Sequence, residues 1–101
     1  MDINIFCAHQ LNDSEAVARI RRLIAEKTAK HKNELKSFEE AWQADGSCVL
    51  KGKVMGFSLS GKIEFLSGRV KVIVSVPMLL GMFRGKIVSE IRKELIAALK
   101  N

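Results

Sequence analysis

Cys7 and His9 are the one nucleophile and base that this chain offers at close spacing. Two residues apart on an extended segment, they point to the same side and lie close in space. A thiol in such a pair becomes reactive only in an electropositive, accessible setting with an oxyanion hole opposite, and no segment of the sequence supplies that hole. Cys48 lies too far from Cys7 for the two to read as a disulfide scaffold or a four-ligand zinc site, so both are expected to be structural thiols, buried or half-buried. His9 and His31 fall in different elements, with no HExxH, CxxC or DxDxDG spacing around them. His31 is expected on the apolar side of the first helix near its end, where an imidazole meets the last carbonyls and the helix dipole. The glycines form neither a GxGxxG fingerprint nor a P-loop, and the carboxylates form no recognisable pair. The expectation is a protein that is not an enzyme and holds no metal or cofactor.

Two other constellations could bind rather than react. The stretch Pro77-Met78-Leu79-Leu80-Gly81-Met82-Phe83-Arg84-Gly85-Lys86 is dense in large, flexible apolar side chains and is edged by Arg84 and Lys86. Such residues at a helix start complete a core or a dimer seam, which would make a homodimer. Alternatively, Leu79 and Met82, on the margin of the helical stripe, seat on a hydrophobic surface. The second constellation is basic. Seventeen Lys and Arg against eleven Asp and Glu give a formal charge of +6, which favours anionic partners such as nucleic acid. Arg19, Arg21, Arg22, Lys30 and Lys32 gather on and just beyond the first helix. The plainer account of that face is helix lacing, through Glu15-Arg19, Arg22-Glu26 and Glu26-Lys30 at i,i+4 spacing.

These residues must be positioned by a chain of 101 residues, enough for one domain (1–101) with a single core. No apolar run reaches the roughly 18 to 20 residues of a membrane span. The start, MDINIFCAHQ, lacks the basic region and long apolar stretch of a signal peptide, so a cytoplasmic address is expected.

Ile3, Ile5 and Cys7 alternate with Asn4, Phe6 and Ala8 as in a short, half-buried edge strand, a pattern flawed by Phe6. Asn12, Asp13 and Ser14 offer helix N-caps, and the stripe Val17, Ile20, Ile24 and Leu35 marks the buried side of the helix that follows. Strand patterning begins at Ser37. Asp45-Gly46 and Ser67-Gly68 are hairpin turn signals, and Gly56 and Gly61 mark a turn or bulge. Val70, Val72, Val74 and Val76 form the cleanest alternation, closed by Pro77. From about Leu79, Leu80, Phe83, Ile87, Ile91, Leu95 and Leu99 recur at helical spacing. The predicted fold class is α+β: an antiparallel sheet of four to five strands with two amphipathic helices on one face, in β-α-β-β-β-α order or with one strand more. The opposite face, with Lys51, Lys53, Lys62, Glu64, Arg69 and Lys71, is expected to be polar and net positive.

Over most of its length the chain resembles the polyhydroxyalkanoic acid system family, small proteins encoded among genes for making and using bacterial polyester granules. The likeness runs through His9-Gln10-Leu11, Trp42 followed by Asp45-Gly46, Ser60-Gly61-Lys62-Ile63, the valine-rich strand and Leu79-Leu80. It implies a granule-region protein whose partner is the granule surface or a granule protein, with no catalytic residues to carry over. Leu79, Met82, Phe83, Arg84 and Lys86 are then the expected contact surface. MDINI followed by a helix, antiparallel strands and a second helix also looks like the ribosome hibernation factors, which would give Arg19, Arg21, Arg22, Lys30 and Lys32 to RNA phosphates. The glycine-rich connection across residues 80–85 does not look like that family.

Overall fold

The computed structural model describes residues 1–101. Its elements run β1 (Asp2–Ala8), α1 (Asp13–Lys30), β2 (Leu35–Trp42), β3 (Cys48–Val54), β4 (Phe57–Leu66), β5 (Arg69–Ser75), a 3-10 turn (Met78–Phe83) and α2 (Arg84–Ala98). Four strands follow α1, one more than the shortest order expected. All five strands pair antiparallel in the order β1-β5-β4-β3-β2, with β1 and β2 as the edges.

Strict alternation along β1 buries Ile3, Ile5 and Cys7 on the inner face, opposite Val74, Val72 and Val70 of β5. α1 starts where Asn12 Oδ1 accepts from the Glu15 backbone N–H at 2.8 Å, an N-cap that contributes about 1 kcal/mol. Asp13 and Glu15 at its first turn and Lys27 and Lys30 at its last complement the helix dipole. The helix buries Ala16, Ile20 and Ile24. Val17 is only half-buried, and Leu35 is not part of the helix but opens β2. Together with Leu95 and Leu99 at the end of α2, these side chains and the inner faces of β1, β5 and β4 make the core.

The turns obey local chemistry. Gly46 and Gly68 hold φ +88° and +73°, as Asp45-Gly46 and Ser67-Gly68 predict. Residues 54–57 form a two-residue hairpin in which both Met55 (φ +52°) and Gly56 (φ +83°) are left-handed. Gly61 was expected at a turn or bulge, but it lies in regular β4, paired with Leu50 and Val74. The bulge falls instead between Lys36 and Glu39 on edge strand β2, where Ser37 takes φ +52°. Edge strands have only one neighbour to satisfy, so they absorb an extra residue more readily than a central strand does.

Candidate functional site

The stretch that stood out in the sequence becomes a projecting apolar turn. Pro77, with φ −58° and ψ 146°, turns the chain out of β5, and the Leu80 N–H closes onto the Pro77 carbonyl at 2.9 Å. In a 3-10 helix residues three apart eclipse, so Leu79 stands in line with Met82. Leu80 turns inward against the core. A Cβ at Gly81 would lie 3.5 Å from both Sδ and Cε of Met1, so the first residue of the chain braces the turn from beneath. Met1 is itself fixed by reciprocal backbone bonds with Val76, each 3.0 Å.

With Leu80 inside, the remaining side chains have nowhere to pack. Met78 is 85% exposed, Leu79 70%, Met82 81% and Phe83 49%. Phe83, counted in the helical stripe from its spacing, is thus half outside, because the α-helix begins only at Arg84 and the 3-10 geometry before it rotates Phe83 away from the stripe. Arg84 and Lys86 are exposed in the first turn of α2, which carries no acidic residue and no side-chain cap. Their charge adds to the positive end of the helix dipole rather than opposing it. All five residues expected at a contact surface, Leu79, Met82, Phe83, Arg84 and Lys86, therefore belong to one projecting segment.

The basic residues of α1 are not gathered in this way. Arg19 is held by Glu15 at 2.8 Å and donates to the carbonyls of Ala98 at 3.1 Å and Lys100 at 2.9 Å, tying α1 to the end of α2. The Arg21 guanidinium lies 3.9 Å from the ring centroid of Trp42. Arg22, Lys30 and Lys32 are exposed. Of the three i,i+4 pairs expected, only Glu15-Arg19 closes; Lys27 instead reaches Glu94 of α2 at 2.8 Å.

Cys7 and His9 do not meet as nucleophile and base. The thiol is buried on the inner face, and desolvation pushes its pKa up, against a smaller lowering by Arg92. His9 Nδ1 accepts from the Leu11 N–H at 3.1 Å and so orders the turn into α1. His31 lies one residue beyond α1, where its backbone N–H, not its ring, bonds the Lys27 carbonyl. No group of three or more His, Cys, Asp or Glu side chains is arranged to hold a metal ion.

The outer sheet face carries Lys51, Lys53, Lys62, Glu64, Arg69 and Lys71, as the alternation required. Glu64 lies 3.7 Å from both Lys62 and Lys71. Sequence reasoning missed an apolar cleft of about 470 Å³ on the inner face, between the helices and the β2–β3 half of the sheet. Gly61, expected at a turn or bulge, lies instead in mid-strand in the lining of this cleft.

No helix is long and apolar enough to cross a membrane. No curated protein and no solved structure matches the chain. The family model described as "Putative polyhydroxyalkanoic acid system protein" matches residues 3–99, nearly the whole fold from β1 to the end of α2. The chain belongs to this polyhydroxyalkanoic acid system family.

Proposed function

We propose that this protein is a non-enzymatic accessory factor of polyhydroxyalkanoate metabolism that seats on the surface of the polyester granule through its 3-10 turn. The observation that carries this reading is the exposure of Met78, Leu79, Met82 and Phe83 on one short segment braced from beneath by Leu80 and Met1. Fully burying a large apolar side chain is worth about 1.5–3 kcal/mol, so a few of these residues entering an apolar layer offset a substantial part of the cost of immobilising the protein there. Arg84 and Lys86 beside them would lie at the water boundary and meet anionic groups of the granule coat, as cations flanking an interfacial segment do. Because α2 follows directly, the turn is presented on a rigid support.

The test is density-gradient fractionation of polyester-accumulating cells, with the protein followed by immunoblot at low and moderate salt. Co-migration with granules that survives moderate salt is expected, and the double substitution Leu79→Asp/Met82→Asp is expected to release the protein while its circular dichroism stays native. A folded double mutant that remains on granules would remove this surface from consideration. Salt-sensitive migration with ribosomes would favour phosphate contacts instead, the behaviour of a binder that releases counterions.

A further inference from the structure

The helices cover the inner sheet face unevenly. α2 packs on β1 and α1 on β4, and beyond them Leu35 and Phe38 of β2 and Leu50 and Val54 of β3 are only half-buried. The resulting cleft of about 470 Å³ is apolar and open to solvent, walled by Leu23 and Ile24 of α1 and Ile91 of α2 and floored by Leu50 and Leu59. It shares no residue with the projecting turn. The chain therefore leaves two apolar features uncovered, one convex and one concave, and covers neither with the other.

Gly61 lies in the floor of the concave one. This glycine does not have a positive φ, and a Cβ there would meet only the Ile73 carbonyl oxygen, at an ordinary 3.6 Å. Neither backbone conformation nor internal packing calls for glycine, which weakens a strand interior relative to alanine. A bare position of this kind fits the close approach of a group from outside the chain. Gly52 nearby differs, since Leu35 Cδ1 lies 2.8 Å from where its Cβ would stand.

The charges beside the two features are complementary. Lys27, His31, Lys51, Glu90 and Glu94 are the ionisable residues that line the cleft. Lys27 is matched by Glu94 at 2.8 Å, His31 faces Glu34 at 3.8 Å, and strand alternation turns Lys51 to the outer face. Glu90 is left as an exposed carboxylate that pairs with no cation. The turn carries the opposite sign, since Arg84 and Lys86 beside it are exposed and pair with no carboxylate. Lys86 lies one helical turn before Glu90 on the same helix, yet the two form no ion pair, so both charges are free for an outside partner. Charges at the rim of an apolar contact fix its orientation more than its strength.

We propose that the turn of one copy seats in the cleft of a second, with Leu79 and Met82 over the second copy's Gly61 and Arg84 and Lys86 beside its Glu90. Because turn and cleft do not overlap, both contacts form at once, which gives a two-fold pair in which each copy supplies the same two features. A contact of this size belongs with weak, concentration-dependent dimers. Away from granules the pair shields the side chains that seat on polyester, so the inference shares the turn with that reading but not the partner.

The test is sedimentation equilibrium of the full chain without polyester, where a concentration-dependent mass of two chains is expected. Leu79→Asp/Met82→Asp and Gly61→Leu should each sediment as a single chain with an unchanged circular dichroism spectrum. Mixed in equal amounts, the two variants should associate again, more weakly than the parent, because the intact turn of one meets the intact cleft of the other. Should Gly61→Leu not fold, Ile91→Phe narrows the cleft from the helix side and takes its place. Glu90→Lys should weaken association about threefold, and adding Lys86→Glu should recover it. The proposal is overturned if the parent remains a single chain at its highest soluble concentration, or if the mixture of variants does. Association of Gly61→Leu equal to the parent would mean that turns pack on each other, and overturns it as well. Seating on granules is read separately, since Gly61→Leu keeps the turn and should still fractionate with them whichever way the sedimentation falls.

Discussion

Arg21 and Trp42 are stacked, with the guanidinium 3.9 Å from the ring centroid, and Trp42 in turn stacks on Phe65 at 5.9 Å and 19° between planes. The chain thus uses an α1 arginine to close one end of its layered structure, where β2 would otherwise leave a large aromatic ring uncovered. Trp42 Nε1 donates to Glu40 at 2.8 Å, which satisfies its one polar atom at the edge of the sheet. A cation committed to an aromatic face on its own chain is poorly placed to neutralise an RNA phosphate. Arg19, bound to two backbone carbonyls at the end of α2, is committed in the same way.

Arg21→Ala should therefore lower stability by about 1 kcal/mol, the range of a partly exposed cation–π contact with its packing. Arg22→Ala, on an exposed position with no such partner, should stay within about 0.5 kcal/mol of the parent. Urea unfolding followed by the fluorescence of Trp42, the only tryptophan, measures both. Equal effects of the two substitutions would show that the stacking contributes nothing.

How far the sequence disclosed this arrangement depended on what each signal could encode. The alternation of Ile3, Ile5 and Cys7 and of Val70, Val72 and Val74 specified both the strands and their buried face, because a one-residue slip would turn every apolar side chain to water. Leu79 and Met82 fell on the margin of the helical stripe, so their exposure was one of two readings the sequence allowed, whereas Phe83 fell inside the stripe and its exposure was not legible, because spacing does not tell a 3-10 turn from the α-helix that follows it. The cleft was not legible either, because the cover that a helix gives a strand depends on where the helix lies across the sheet, and periodicity carries no such information. Leu35 shows the same limit: its spacing from Ile24 suits a helix, yet the chain breaks at His31 and delivers it to β2.

The Lys27-Glu94 bridge joins the two helices across the mouth of the cleft, and it predicts a pH dependence. The hydrogen bond from Lys27 chiefly holds the Glu94 carboxyl below its ordinary range, assisted by the charges of Lys27, Lys30 and Lys93 against a smaller desolvation effect. A carboxylate whose folded pKa is depressed contributes stability above its unfolded pKa, and that contribution disappears as pH falls through the folded value. In Lys27→Met the Glu94 titration midpoint, read from its carboxyl carbon shift, should rise toward the ordinary range. The stability deficit of the variant should be present at neutral pH and vanish in acid. An unmoved midpoint would assign the depression to other groups.

The cysteines make a separate prediction. Burial raises the pKa of both Cys7 and Cys48, with Glu40 adding to the effect at Cys48, and each thiol lies in the core. Only the thiolate is nucleophilic, so iodoacetamide at neutral pH should modify neither at a rate approaching that of a free thiol, and should modify both once the chain is unfolded in urea. Rapid labelling of native Cys7 would restore it as a candidate nucleophile.

Met55 marks a place where the chain departs from its own best local choice. With Gly56 it forms the hairpin between β3 and β4 in which both central residues have positive φ, yet it carries a Cβ and a long side chain that is 88% exposed. Left-handed backbone costs a residue with a Cβ roughly 1–2 kcal/mol, and asparagine suffers less because its amide bonds locally to the backbone. Met55→Asn should therefore stabilise the protein by about 0.5–1 kcal/mol in urea unfolding, without altering the β3–β4 register. Met55 is also remote in sequence from the turn assigned to the granule, so the substitution should leave fractionation with granules intact. Loss of granule association in a stabilised Met55→Asn protein would move the contact surface from the turn of residues 78–83 to this hairpin.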